Sequence, residues 1–374
     1  MSDIPTTMTA AVIDGDSENF TLMEIATPTP RANEALVRVL SCGVCHTDLH
    51  VLEKEVAFPR PAVLGHEIFG EVVALGPDTS SDTIAVGDAV VGGFIMPCTR
   101  CDACQRGRDD MCSAFFDDNR LRGTLFDGES RLAMPDGSFL AMYSMGGLAQ
   151  YSVVPLSALA SVPKTLAHPT SAILGCAGMT AYGAAARVAG VTWGQSVAIV
   201  GVGGIGSSLI PMTRALGATR IVAVDIADDK LDRARVLGAT DTVNSLHSDP
   251  VTTVRELTDG GCDIVFEALG LAQTFEQSVG MLADGGTMVA IGIAATGSQA
   301  TVEITPLVRR GYTISGSFGA RTRQDLPAVV SMAETGDLDP QTLVTREFRL
   351  EQVNDAYQLL REGKIVGRAI ITMV

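Results

Sequence analysis

Eight cysteines stand at positions 42, 45, 98, 101, 104, 112, 176 and 262, and four of them crowd into the run Cys98-x2-Cys101-x2-Cys104-x7-Cys112. That run lies among Pro97, Gly107 and many charged residues, which reads as a loop rather than a core segment. In a reducing compartment such spacing points to a metal, because four thiolates satisfy a tetrahedral zinc ion at about 2.3 Å. An iron–sulfur cluster is the competing reading, but ferredoxin motifs that open Cys-x2-Cys-x2-Cys continue Cys-x3-Cys-Pro. Here the last spacing is seven and Ser113 follows Cys112, so zinc fits better. Four protein ligands close the coordination sphere, which assigns this ion a structural role. Arg100, Arg106 and Arg108 are placed to offset the doubly negative cluster.

A second set is spread along the chain: Cys45-His46-Thr47-Asp48-Leu49-His50, then Gly65-His66-Glu67, then Gly175-Cys176-Ala177-Gly178. Three of the five histidines fall in its first two segments. Two thiolates and one imidazole, from Cys45, His66 and Cys176, would make an open site with a fourth position for water or substrate. Spacing alone does not join Cys176 to the other two.

A third constellation begins after the apolar run 197–200 with Gly201-Val202-Gly203-Gly204-Ile205-Gly206 and continues into a helical pattern from Ser207 to Leu216, closed by Gly217. Gly201 permits a tight turn, Gly203 lets backbone N–H groups approach a pyrophosphate, and Gly206 allows close helix packing. A further strand-like run ends at Asp225, nineteen residues past Gly206, where a carboxylate would bind the adenosine ribose hydroxyls. That charge repels a 2′-phosphate, and Ile226 rather than a base comes next, so NAD is expected over NADP.

The elements that must position these groups differ in texture. From Ala10 to about Ala158, short β-rich runs such as 35–40, 70–75 and 89–91 are broken by Gly, Pro and Asp, as in an irregular all-β unit. From about Thr180 to Phe318, apolar runs at 197–200, 221–224, 264–266 and 288–291 alternate with helical patterns, which predicts a parallel sheet with crossover helices. The tail carries a helical pattern at 352–361 and a strand at 368–373, and is expected to pack back on the first unit. The fold class is therefore α/β: a β-rich domain at 1–178 completed by 320–374, and a doubly wound Rossmann domain at 179–319. The run 312–318 reads as an outer strand able to pair with its copy in a homodimer, with a tetramer as the alternative.

Forty-three acids against twenty-seven bases give a net charge of −16, which disfavours nucleic acid and anionic membrane surfaces as partners. No apolar run reaches the roughly 18 residues a bilayer span needs, and Met1-Ser2-Asp3-Ile4-Pro5 lacks the features of a secretory signal, so a cytoplasmic location is expected. Cys42 imitates half of a Cys-x2-Cys pair, but it reads as a buried thiol on a strand, as does Cys262. His168 and His247 lie in turn-like contexts and read as surface residues.

In order along the chain, Gly43-Val44-Cys45-His46-Thr47-Asp48, Gly65-His66-Glu67, the four-cysteine loop, Gly175-Cys176 and the glycine fingerprint resemble the zinc-dependent medium-chain alcohol dehydrogenases, over nearly the whole length. The resemblance implies a GroES-like catalytic domain, two zinc ions and NAD. Catalytic zinc would sit on Cys45, His66 and Cys176, a donor set known from alcohol dehydrogenases, with Glu67 beside it and Asp48 holding His66. It further implies a proton relay through Thr47 and His50, Thr180 at the nicotinamide, Lys230 with Asp225 at the adenosine ribose, and Arg368 at the pyrophosphate. His46 departs from the pattern: many relatives carry an arginine there, and an imidazole is a weaker, pH-dependent anion partner.

By position in that family, substrate would meet Val56, Phe94, Phe115 or Phe116, Met142, Tyr143 and Ile293, a largely apolar lining. Relatives acting on thiol adducts of formaldehyde hold an anionic tail with an arginine a few residues past the last loop cysteine, where this chain has Phe115 and Phe116 after Cys112-Ser113-Ala114. Uncharged, medium-sized or aromatic primary alcohols are thus expected. A thiol-adduct or polyol dehydrogenase on the same scaffold is the enzymatic alternative, and a cofactor-binding structural protein is the non-enzymatic one.

Overall fold

The apolar run after Gln195 forms the strand Ser196–Val200, which pairs in parallel with Arg220–Asp225 on one side and Cys262–Glu267 on the other. In this computed structural model, which describes residues 4–373, six parallel strands make one sheet. Their order is Asp241–Asn244, Arg220–Asp225, Ser196–Val200, Cys262–Glu267, Leu282–Ala290 and Thr313–Gly316. The chain direction of travel reverses beside Ser196–Val200, and the glycine loop leaves the carboxyl end of that strand, the place where doubly wound sheets bind ligands. Ala198, Val200, Val222, Val224, Val265 and Met288 form the core of one face, with Val254 and Phe275 from the crossover helices. Local signals set those helices. Pro250–Leu257 starts on Asp249, whose Oδ1 accepts the Thr252 N–H at 2.8 Å, with proline at the first helical position. Asp228–Leu237 ends on Gly238 at φ 110°.

This sheet belongs to a compact unit of residues 180–320 and 336–343. The sequence expectation assigned the whole tail from 320 to the other domain. The short helix Pro340–Leu343 falls in this unit instead, and Arg233 donates to the Thr342 carbonyl.

Of the described residues, the other unit contains 4–179, 321–335 and 344–373. Its larger sheet runs Leu159–Ser161, Ala89–Gly92, Ile68–Leu75, Glu34–Val44, Arg368–Thr372 and Val344–Arg349, with Tyr151–Pro155 also paired to Glu34–Val44. A smaller five-stranded sheet runs Thr21–Ala26, Thr7–Ile13, Ala62–Val63, Phe139–Met142 and Leu132–Ala133. The C-terminal strand inserts at the centre of the larger sheet, with Ile370 opposite Gly43 and Ala369 opposite Val44. This carries Arg368 to the end of the strand that leads into Cys45. Among the described residues no single helix is long and apolar enough to cross a membrane.

Candidate metal and cofactor sites

Cys45 ends the strand Glu34–Val44 and caps the short helix His46–Leu52, which buries Asp48, Leu49, Val51 and Leu52. His46 on the opposite face is exposed, and Thr47 and His50 are half-buried. Cys176 arrives from a sequence-distant 3-10 turn, Pro169–Gly175. Glycine at 175 makes that arrival possible, since a Cβ there would lie 1.9 Å from the Gly92 carbonyl oxygen. The Gly175 carbonyl in turn accepts the Phe94 N–H at 3.0 Å. The outcome is that one donor atom from each of Cys45, His66, Glu67 and Cys176 lies within 4.8 Å of the others, all four side chains buried.

His66 is oriented from behind. Its Nδ1 lies 3.0 Å from Asp48 Oδ1, which also accepts the Gly65 N–H, while Asp48 Oδ2 accepts the Tyr357 hydroxyl at 3.2 Å. Asp48 therefore holds the ring hydrogen on Nδ1 and turns Nε2 toward the cysteines. That Nε2 is fully buried with no hydrogen-bond partner, an arrangement that would be costly unless the nitrogen binds something. Two sulfurs and an aimed imidazole nitrogen are the donor chemistry of zinc, and the residues fit that ion. Glu67 stands next to them, its carboxylate 3.7 Å from His66 Nε2 and held on both oxygens by Arg368. Gly43 leaves the room, for a Cβ there would come within 2.4 Å of the Glu67 carboxylate.

The electrostatics are those of a dry, crowded cluster. Burial pushes Glu67 up to about 7 even though Arg368 opposes it. Burial alone would lower His66, yet the charges of Asp48 and Cys45 outweigh it and raise the ring to about 10. Cys45 is held well down by its hydrogen bond with Cys176, by His66 and by Arg368, whereas Cys176 is driven up by that same bond and by burial. Cys42, one strand position pair away, is fully buried and raised by burial, and does not join the donor group. Cys262 is likewise buried on its strand, pushed to about 12 by desolvation.

The loop cysteines also converge, with the four sulfurs of Cys98, Cys101, Cys104 and Cys112 within 4.8 Å of one another. Backbone N–H groups of Cys98 and Cys101 donate to the sulfurs of Cys112 and Cys98, both at 3.3 Å. Burial raises Cys112 to about 11, while Cys101, despite its own burial, falls to about 6 through hydrogen bonds at Cys104, Cys98 and Ser113. The expected local compensation by arginines is only partly seen. Arg108 pairs with Asp110 at 2.7 Å and Arg100 with the Phe126 carbonyl. The base that reaches the cluster is Arg323, far along the chain, which donates to the Cys104 carbonyl at 2.6 Å and to buried Asp109 at 2.7 Å.

In the Rossmann unit, Gly201 has φ +91°, Gly203 caps the helix Gly204–Ala215 with open space around it, and a Cβ at Gly206 would strike the Gly201 carbonyl at 1.9 Å. The helix thus begins at Gly204, earlier than the pattern from Ser207 suggests, because the loop glycines and Ile205 are already helical. Asp225 is buried and accepts N–H groups from Val202, Ile226 and Ala227. It organises the loop as well as presenting charge to it. Thr180 is buried, Lys230 half-buried and Ile293 61% exposed in the same unit.

The other expected lining residues separate. Phe94 and Tyr143 stand edge-on to His66, with ring centroids at 6.1 and 6.3 Å. Phe115 is fully buried against Phe116 and Met142 is fully buried on its strand, while Val56 is 38% exposed. Arg368, expected at a pyrophosphate, is 4% exposed with its guanidinium on Glu67. His50 Nδ1 is engaged by Glu55. Sequence reasoning gave Gly43 no role beyond its place in the motif and missed Tyr357, Arg323 and Arg120. Gly43 and Arg120 sit next to residues it did select, but neither type is diagnostic until the neighbouring side chain is placed.

Two family descriptions match this chain: the alcohol dehydrogenase GroES-like domain over residues 31–164 and the zinc-binding dehydrogenase family over residues 204–335. The chain belongs to the zinc-type medium-chain alcohol dehydrogenases, as oxidoreductases with a GroES-like domain and a Rossmann-like parallel-sheet domain. An alcohol dehydrogenase zinc-binding domain protein from Burkholderia ambifaria is 33% identical with a TM-score of 0.93, covering 98% of this chain and 99% of its own. Benzyl alcohol dehydrogenase from Acinetobacter calcoaceticus is 30% identical with a TM-score of 0.92, covering 99% and 100%. An alcohol dehydrogenase from Thermus sp. ATN1 is 29% identical with a TM-score of 0.82, covering 98% and 99%.

Proposed function

We propose that this protein is an NAD-dependent alcohol dehydrogenase with one catalytic and one structural zinc per chain, interconverting medium-sized or aromatic primary alcohols and their aldehydes. The observation that carries the reading is the buried, unpartnered Nε2 of His66 facing Cys45, Cys176 and Glu67. Cys45, His66 and Cys176 would hold the catalytic ion, and Cys98, Cys101, Cys104 and Cys112 the structural one. When bound, zinc supplies Lewis acidity toward the alcohol oxygen and NAD supplies the hydride acceptor.

The chain's own residues do the rest. Asp48 holds the His66 tautomer, and Arg368 keeps Glu67 from collapsing onto the donor atoms by gripping both of its oxygens. Phe94 and Tyr143 exclude water on two sides of the imidazole. Thr47 and His50 share the outward side of the helix that begins at Cys45 and would pass the hydroxyl proton to solvent. Glu55 on His50 Nδ1 leaves Nε2 for that exchange. Gly201 makes the turn, its own N–H spent on the Val224 carbonyl, and Gly203, Gly204, Ile205 and Gly206 offer backbone N–H groups to a pyrophosphate, while Asp225, with Lys230 nearby in sequence, keeps negative charge where a 2′-phosphate would otherwise bind. Thr180 and Ile293 are assigned to the nicotinamide. The resemblance to benzyl alcohol dehydrogenase supports an aromatic substrate. The outer strand Thr313–Gly316 has one free edge and is proposed to pair with its copy in a homodimer.

Metal analysis and an NADH absorbance assay with benzyl alcohol, hexanol and glutathione-treated formaldehyde test this reading. Two zinc ions per chain, turnover of the first two alcohols and tighter binding of NAD than NADP are expected. Turnover of the thiol adduct alone, or protein without zinc, would overturn it.

A further inference from the structure

Tyr143 does more than wall the His66 ring. Its hydroxyl is buried with no hydrogen-bond partner, and the guanidinium carbon of Arg120 lies 4.2 Å from its ring centroid. Arg120 Nη1 is also buried and without a partner. Arg120 makes no ion pair among the described residues, although the chain carries sixteen excess negative charges and Asp118, two positions before it, is paired instead with Arg122. The placement is built rather than incidental. Buried Asn119 donates from Nδ2 to the carbonyls of Met142 and Ser144, which bracket Tyr143, so the end of the helix Phe115–Arg120 is pinned to the strand end that carries the tyrosine. Phe58 supports the ring edge-on at 5.0 Å.

Two neighbouring buried donor atoms without a hydrogen-bond acceptor, one of them on a cation that otherwise rests on the Tyr143 ring, match a carboxylate, which accepts several hydrogen bonds and neutralises the charge. Tyr143 links the two groups, its ring centroid 6.3 Å from that of His66 and 4.2 Å from the Arg120 guanidinium carbon, so both donors stand beside the candidate metal cluster. The geometry points to Arg120 and Tyr143 as a recognition site for a carboxylate on the side of the alcohol remote from its hydroxyl. This inference rests on the dehydrogenase reading and refines its substrate class. The uncharged substrate expected from Phe115 and Phe116 gives way to an aromatic alcohol bearing an anion, because the cation enters from position 120 instead of from the residues directly after the cysteine loop.

The test compares kcat/KM of the zinc-loaded enzyme for 4-(hydroxymethyl)benzoate with that for its methyl ester, which keeps the shape and removes the charge. A preference of about tenfold or more for the acid is expected, since a site built for a hydrogen-bonding group rejects the analogue that lacks it. In Arg120→Met the acid-to-ester ratio should fall to about one, and Arg120→Lys should restore part of it. Equal rates for acid and ester in the unaltered enzyme, or a ratio that Arg120→Met leaves in place, would overturn the assignment. If neither alcohol turns over, the dehydrogenase reading fails by itself. Calorimetric binding of 4-formylbenzoate then decides the carboxylate site: weakening by about tenfold in Arg120→Met supports it, and unchanged affinity ends it.

Discussion

Two clusters in one folding unit each collect four side chains of types that could hold a metal ion, and they are assembled in opposite ways. The loop site takes Cys98, Cys101, Cys104 and Cys112 from a single short run, and local N–H groups point at its sulfurs. The other takes Cys45, His66 with Glu67, and Cys176 from three separated segments, brought together by a strand end, a turn and a glycine that lets two backbones touch. Proximity in sequence makes the first depend less on the rest of the fold, with Arg323 and Ser157 among its distant supports. The second exists only when both sheet and turn are in register. A closed, local site suits stability, whereas an open site built from distant elements leaves one face for substrate and can be tuned by residues behind each ligand.

The widest separation between the clusters should come from removing one ligand of each. His66→Ala is expected to lower kcat/KM by roughly 1000-fold or more, with one zinc lost and the unfolding midpoint little changed. Cys112→Ser should instead lose the other zinc and drop the midpoint by several degrees. If the two variants lose activity and stability alike, the division of labour is wrong. Next in size, Asp48→Asn keeps the shape but weakens the hold on His66 Nδ1. Zinc affinity at the distributed site should fall about 10–100-fold, read by competition with a chelator, with the loop site unaffected.

Gly43→Ala tests the dependence on tertiary fit. Its Cβ would meet the Glu67 carboxylate at 2.4 Å, so a loss of about 1–3 kcal/mol in denaturant unfolding is expected, with Glu67→Ala in the same chain recovering most of it. The smallest effect concerns the exposed start of the helix after Cys45. An imidazole loses its charge above neutral pH and a guanidinium does not, so His46→Arg should tighten NAD by a few-fold at pH 8 and less at pH 6, measured by fluorescence titration. Equal affinities at both pH values would remove His46 from the cofactor site.

The four-cysteine loop, the separate Cys45, His66 and Cys176 segments, the glycine loop and the alternation of strands with crossover helices were legible because each leaves a short-range signature, whereas the joining of Cys176 to the other two was not. Sulfur spacing, glycine spacing and the apolar period need no knowledge of partners. The C-terminal strand was legible as an element, and its return to the first unit was anticipated, but not that Arg368 would close on Glu67.

What the sequence determined by itself is which side chains can bind metal and where a dinucleotide loop must turn, since these depend on residue type and local geometry. Only the tertiary structure decided that Cys176 meets Cys45 and His66, that Asp48 and Tyr357 stand behind the imidazole, and that Arg120 lies across Tyr143 without a counter-charge. Those contacts join residues far apart along the chain. Their cost in chain entropy is met by the packing of whole sheets, which no short window of sequence contains.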